Sequence, residues 1–436
     1  MEAPRSNSLL GTGGSRLRIR SKEKPHRSKR SALFGLAGLA SALAAARLVK
    51  PLLRNRIKMG MMNFVEEILR DSYADNLWEL ISATRRPGPQ VIVETNLRAH
   101  EGTVIERPLG SPKEWPDFKN LVFNFAQVVR KPAAYDAPVD MSVVIGPAAA
   151  KPMRVGIPIM LSGMAYGIAL SASARIALAR GAALADAASN VGEGPVLPLE
   201  RHAARHLILQ YNRATWAKEP ETLRHADMIE IYFGQGASGG VGTLIKEPDY
   251  DVELRQAMGL RPGQQAVKYS YHPELERGWS LSDLVRYLRD LTDGVPIGVK
   301  LAPGKQLEED LRLCLEAGVD VIALDGAQAA TKGSPPILQD DFGIPTVHAL
   351  VRADEFLRAS GQREKVSLIV GGGLYTPGDF LKAIALGADA VYIGSIALFA
   401  LSHGQVFKSL PWEPPTQLVF YGGHQANQFD IDEAAD

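Results

Sequence analysis

The sequence predicts an α/β fold: a (β/α)8 barrel preceded by an N-terminal helical and extended wrapping segment. Three observations carry that reading. From Gly156 onward, short apolar runs alternate with helical stretches, the pattern of a parallel sheet covered on both faces. Eight such units over roughly 250 residues suit a closed barrel rather than an open sheet. Glycine-rich turns follow the last two runs, Gly371-Gly-Gly373 and Gly394-Ser395, where barrels of this kind commonly hold anions.

In chain order, the first four candidate strands are Ile157-Pro-Ile-Met-Leu161, Ala182-Ala-Leu-Ala185, His206-Leu-Ile-Leu209 and Met228-Ile-Glu-Ile-Tyr232. Ala266-Val-Lys-Tyr269, Pro296–Leu301, Val319–Leu324, Val366–Val370 and Ala390-Val-Tyr-Ile393 follow. One run too many is present for eight strands, and Ala266–Tyr269 is taken as the extra. Helices are expected over Ser280–Leu291, Leu307–Ala317 and Pro377–Leu386, the last two closing on Gly318 and Gly387 as left-handed caps. Upstream, Phe64, Ile68, Leu69, Leu77, Leu80 and Ile81 recur at helical spacing. Residues 86–155 are proline-studded with short extended runs such as Gln90-Val-Ile-Val93, which reads as a wrapping segment without a core. The expected organisation is a basic leader over 1–58, a helical and wrapping segment over 59–150, the barrel over 151–405 and a tail over 406–436.

Charge is unevenly spread. Residues 1–60 hold fourteen Lys or Arg against Glu2 and Glu23, leaving a body with 35 basic and 46 acidic residues. A body of net charge −11 argues against nucleic acid as its main ligand, since phosphate backbones need a basic face. The basic head encloses sixteen uncharged residues, Ser31–Ala46, short of the twenty or so that span a bilayer. A weak signal anchor, an interfacial amphipathic segment over 31–58, and a basic leader all remain open, and residues 1–30 should be disordered. The rest reads as cytoplasmic. Cys314 is the single cysteine. It excludes an internal disulfide and a cysteine-held metal or iron–sulfur cluster, so no metal site is expected.

Residues just beyond the strands should carry the chemistry. The glycine turns Gly372-Gly373 and Gly394-Ser395 let backbone N–H groups approach a phosphate. Lys300 ends an otherwise apolar run, where a charge is costly without a partner; Asp325, at the next strand end, is the expected one.

Five motifs then share one resemblance. Leu161-Ser-Gly-Met-Ala-Tyr-Gly-Ile-Ala-Leu-Ser171 resembles the SGMSFGALS signature of the FMN domain of glutamate synthases. Asn190-Val-Gly-Glu-Gly194 is similar to its NTGEGG loop, and Ile229–Ala237 to its IKIAQGAKPGEGG segment. Asp325–Pro335 and Gly371–Asp379 match the DGGTGASP and GGLRTGxD loops in outline, in order, within about Pro152–Leu401. The resemblance implies an FMN-dependent oxidoreductase acting on the CH–NH2 group of an amino acid, by amination of a 2-oxo acid such as 2-oxoglutarate or the reverse; an FMN barrel acting on an unrelated α-amino or α-hydroxy acid, and a flavin-binding scaffold without catalysis, are the alternatives. By position it implies that Ser162, Gly163 and Met164 line the flavin ring, Gln210 and Lys300 meet its polar edge, and Gly372, Gly373, Gly394 and Ser395 hold its phosphate. Glu193 and Gln235 are the implied catalytic contacts, with Ser238, Asp325 and Lys332 toward substrate. FMN rather than FAD is expected, because no dinucleotide fingerprint is present.

The departures are specific. The lysine of QGAK is Ser238, PGEGG becomes Gly239-Gly-Val-Gly242, the glycine pair of DGGTG is Ala329-Ala330, and Lys332 replaces the next glycine. Where the family's cluster cysteines fall, the chain reads Leu401-Ser-His403, so no iron–sulfur cluster is expected. With no glutaminase domain ahead of the barrel, ammonia and electrons are expected from external partners.

Overall fold

The computed structural model describes residues 29–245 and 250–435, with backbone alone at 29–48 and 50. The leader expected to be disordered lies outside the described residues, apart from Lys29 and Arg30. Two compact units divide at His100/Glu101. The division falls earlier than residue 150, because the chain after 101 already packs with the barrel.

In the first unit a 42-residue helix, Lys29–Arg70, contains the uncharged run and Pro51. Among the described residues no helix is long and apolar enough to cross a membrane. The helical periodicity over 64–81 is interrupted at 71–77 before a second helix, Trp78–Arg85. Asn76 makes the break: its side-chain NH2 donates to Ile68 O (2.6 Å), and its Oδ1 accepts from Trp78 N (2.9 Å). The run Gln90–Val93 is not extended; it lies in a helix, Pro89–Glu101. Proline suits a helix start. Gln90 also donates to Glu94 (2.6 Å), which accepts from Arg98 (2.8 Å), and this i, i+4 ladder exists only in a helix.

In the second unit eight parallel strands form the barrel. They are β1 (Ile159–Leu161), β2 (Ala188–Asn190), β3 (His206–Tyr211), β4 (Met228–Tyr232), β5 (Ile297–Leu301), β6 (Val321–Asp325), β7 (Ser367–Gly371) and β8 (Ala390–Ile393). Parallel ladders run from β2 through β7 to β8 and on to β1. β1 and β2 complete the circle side by side, without a ladder between them. The second expected strand was misplaced: Ala182–Leu184 ends a helix, Ala172–Leu184, whose Ser171 Oγ accepts from Ala174 N at 3.2 Å. Alanine and leucine favour helix when a cap starts one. The true strand, Ala188-Ser-Asn190, is too short and polar to stand out. Ala266–Lys268 is indeed outside the barrel, in an antiparallel hairpin with Thr243–Ile245.

The period of two along each strand sorts its residues. Ile229, Val299, Ile322 and Val370 face the helices in the largest apolar cluster. Alternate positions point inward. Low in the barrel these are apolar: Met160, Ile208, Met228, Val321, Ile369 and Ala390, resting on Ile145, Met153 and Val155 of a short hairpin that plugs the floor. Nearer the C-terminal strand ends the inward residues become polar: Asn190, Gln210, Glu230, Lys300, Asp325 and Tyr392, all buried. The tail packs on the helix after β1, with Leu418, Val419, Phe420 and Phe429 against Ala174 and Leu178. That places Phe420 beside the strand ends.

Candidate active site

The polar layer is held by one carboxylate. Glu230, within β4, accepts from Asn190 Nδ2 (2.9 Å), Gln210 Nε2 (2.8 Å) and the Tyr392 hydroxyl (2.8 Å). Burial, and then the charge of Glu230, raise the Tyr392 phenol well above its ordinary range, so it stays a donor. Lys300 lies beside this group, fully buried, with Nζ 2.8 Å from Asp325 Oδ2, 3.3 Å from Ser162 Oγ and over the Tyr392 ring. Burial alone lowers a lysine pKa. Here the carboxylates of Asp325, Glu230 and Glu193 outweigh it, and Lys300 is held above its ordinary value. A protonated lysine is thus fixed at the base of the site.

Two cavities open above this layer and share Ser162, Ala330, Gly394 and Ser395. The first is bounded by Asp325, Gln328, Ala329, Gly372, Gly373 and Tyr392. Gly372 and Gly373 have φ of +100° and +72°, conformations that glycine adopts without penalty. A Cβ on Gly372 would meet Ala329 N at 2.8 Å, whereas a Cβ on Gly394 meets no protein atom within 4 Å. Gly394 precedes the helix Ser395–Ser402, whose first-turn N–H groups lack intrahelical partners. The cradle is therefore open, lined by backbone, and faced by the positive end of a helix.

The second cavity is walled by Gly163, Met164, Glu193, Gln210, Gln235 and Lys268, among others. The NVGEG loop positions Glu193: Asn190 Oδ1 accepts from Gly192 N at 2.9 Å, and Glu193 O accepts from the Trp216 indole at 2.7 Å. Its side chain does not bond to neighbouring backbone N–H groups. Glu193 Oε2 pairs with Lys268 Nζ at 2.9 Å, while Oε1 is buried without a hydrogen-bond partner. Gln235 lines the same wall, and its carbonyl also closes a turn by accepting from Ser238 N (3.0 Å) and Gly239 N (2.7 Å).

Ser162, Gly163, Met164, Gln210, Gly372, Gly373, Gly394, Ser395, Glu193, Gln235, Asp325 and Lys332 all line one cavity or both. Lys300 lies just beneath them. Ser238 lines neither; it sits in the turn after Gln235, near Tyr232. The sequence reading missed Asn190, Glu230, Tyr392, Gln328 and Lys268. Glu230 carried a usable signal, being the one charge in an apolar strand, as Lys300 is. Lys268 was hidden because its strand stands outside the barrel.

These residues fit FMN. Gln210 Oε1 is a buried acceptor without a partner, suited to a ring N–H. The Gly372–Gly373 and Gly394–Ser395 cradle has space and donors for a single phosphate. Among the described residues no cluster of His, Cys, Asp and Glu could hold a metal ion.

Comparison with known proteins gives the family of the chain. The family described as a conserved region in glutamate synthase matches residues 118–406. The chain is similar to a glutamate synthase large subunit-like protein of Rhizobium meliloti, 34% identical over 71% of this chain and 70% of that one. It is 34% identical to an archaeal glutamate synthase [NADPH] of Archaeoglobus fulgidus over 57% of this chain. That match spans 49% of the Archaeoglobus protein, about half its length. A mandelate oxidase mutant with a monooxide FMN adduct is similar at 18% identity over 73% of this chain and 85% of that one, with a TM-score of 0.39, too distant to bear on function. With the match running from the edge of the barrel past its last strand, the chain belongs to the glutamate synthase family of oxidoreductases.

Proposed function

We propose that the chain is an FMN-dependent oxidoreductase acting on the CH–NH2 group of an amino acid, or in reverse on a 2-oxo acid with ammonia. The observation that carries this reading is the pairing of an open glycine cradle with a second cavity over a buried, protonated lysine. Ser162, Gly163 and Met164 would line the flavin, Gln210 and Lys300 would meet its polar edge, and Gly372, Gly373, Gly394 and Ser395 would hold its phosphate. When bound, FMN supplies hydride transfer to or from the carbon of a C–N bond.

The chain's own residues do the rest. Lys300 keeps its proton, so positive charge is fixed where an anionic ring edge would lie, without reorganisation. Asp325, in direct contact, and the nearby charge of Glu230 keep Lys300 protonated. Glu193 lines the second cavity, and its carboxylate, with Oε1 unbonded, would accept a substrate N–H and is the candidate proton carrier. Lys268 fixes its other oxygen. Met164, Leu170 and Phe420 exclude water from this wall. Electrons and ammonia would come from external donors.

The test is anaerobic reduction of the bound flavin, followed by its reoxidation with 2-oxo acids and ammonia. Reoxidation that needs both, and that falls at least a hundredfold in Glu193→Gln, is the expected result. Unchanged reoxidation in Glu193→Gln would remove its catalytic role, and no response to any 2-oxo acid with ammonia would remove the C–N chemistry.

A further inference from the structure

The second cavity carries an unequal supply of charge. Glu193, Lys268 and Lys332 line it. Lys268 is committed to Glu193 at 2.9 Å, with only 11% and 14% of the two side chains exposed. Separating such a pair leaves an uncompensated buried charge. Lys332 is different. Among the described residues its ammonium has no carboxylate partner, and it stands 5.5 Å from the centroid of the Phe420 ring. Across the ledger of charge, Glu193 Oε1 is buried with no hydrogen-bond partner. Among the described residues the cavity is thus lined by one cation with no carboxylate partner and by a carboxylate that has one oxygen unbonded. Apart from Gly163, Met164 and Gln210, which would face the flavin, much of the remaining wall is apolar: Ile168, Leu170, Leu398 and Phe420.

Resting on the flavin reading above, we propose that this cavity takes a monocarboxylic α-amino acid with an apolar side chain, and the corresponding 2-oxo acid. Lys332 receives the single carboxylate, Glu193 Oε1 accepts the amino N–H, and the apolar wall takes the side chain. A dicarboxylate brings a second negative charge. Among the described residues the other lysine on this wall is Lys268, and meeting that charge with it pulls Lys268 away from Glu193, which strands the carboxylate that should face the nitrogen. Ser238, where the motif it resembles has lysine, supplies no replacement, because it lines neither cavity. An unpaired carboxylate in a desolvated site weakens binding on the order of tenfold to a hundredfold.

The experiment uses the purified full chain with its flavin and reads binding apart from turnover. Trp216, bonded to the Glu193 carbonyl, gives a fluorescence signal near the site, and a rise in unfolding temperature gives a second. L-leucine, L-phenylalanine and 4-methyl-2-oxopentanoate are titrated against L-glutamate and 2-oxoglutarate. We expect the apolar acids to bind at least tenfold more tightly. Lys332→Met should weaken them by about tenfold or more while keeping its flavin, and Lys332→Arg should restore most of the affinity; Lys332→Gln replaces the methionine variant if that loses flavin. Dicarboxylates that bind as well as the apolar acids, binding by neither series, or unchanged affinity in Lys332→Met each overturn the inference. Protein that holds flavin yet prefers dicarboxylates refutes only the substrate class, whereas protein that takes up no flavin removes both readings.

Discussion

Two glycines on the first cavity should respond to substitution in opposite ways. Gly394 has a φ of −126°, and a Cβ there meets nothing within 4 Å. Gly394→Glu should therefore alter the stability of the flavin-free protein by about 1 kcal/mol or less. The same side chain projects into the cradle, where its carboxylate would meet the phosphate. Two unit charges about 4 Å apart at an effective dielectric of about 20 repel by roughly 4 kcal/mol, about a thousandfold in affinity. Gly372→Ala is the contrasting change. Its φ of +100° and the 2.8 Å approach of a Cβ to Ala329 N should cost about 2–5 kcal/mol in folding. The assay is FMN titration of flavin-free protein, with unfolding followed by circular dichroism. Gly394→Glu should unfold like wild type and bind no FMN at micromolar concentration, while Gly372→Ala should lose stability first. Wild-type flavin occupancy in Gly394→Glu would refute the cradle. A fall in its stability as large as that of Gly372→Ala would show that a folding defect, rather than repulsion of phosphate, explains any loss.

Three further outcomes follow from the structure. Lys300→Met leaves Asp325 buried beside Glu230 without its cation, and should cost about 3–5 kcal/mol by denaturant unfolding as well as flavin affinity; a loss below 1 kcal/mol would show that the pair adds little. Burial, with Lys218 adding to it, lowers the His272 pKa to about 4, so its contribution is complete above its ordinary value near 6.5 and is lost as pH falls toward 4. That contribution is at most about 3 kcal/mol, and His272→Gln should flatten the stability–pH slope between pH 6.5 and 4 by up to one proton; an unchanged slope would contradict it. We also propose that residues 1–58 are dispensable, because among the described residues the clustered core begins at Phe118. A chain starting at Met59 should remain soluble with its flavin, and aggregation or loss of flavin would refute this.

The barrel was legible because a parallel sheet covered on both faces writes each strand as an apolar run, and β4 to β8 are such runs. It failed at β2, where Ala188-Ser-Asn190 serves the site rather than the core and so lacks an apolar signature. It failed again at Gln90–Val93, where three β-branched residues suggest a strand but side-chain pairs four apart impose a helix. The glycine turns and Lys300 could be found because each breaks a local rule, a charge in an apolar run or glycines at a strand end. Lys268 obeyed no such rule. Its role depends on a hairpin inserted between β4 and β5 that brings it to Glu193, a contact between residues 75 apart that no local pattern encodes. Ser238 shows the converse: a motif position suggested a substrate contact, and a turn carries it off the cavity wall.

The central claim is a single-phosphate flavin site at the C-terminal end of this barrel. Its most direct test is the absorbance spectrum of the purified full chain, followed by mass measurement of the ligand released by heat. The account predicts a yellow protein with about one FMN per chain, lost in Gly394→Glu. A colourless protein that gains no stability with FMN, or one that releases FAD, would contradict it.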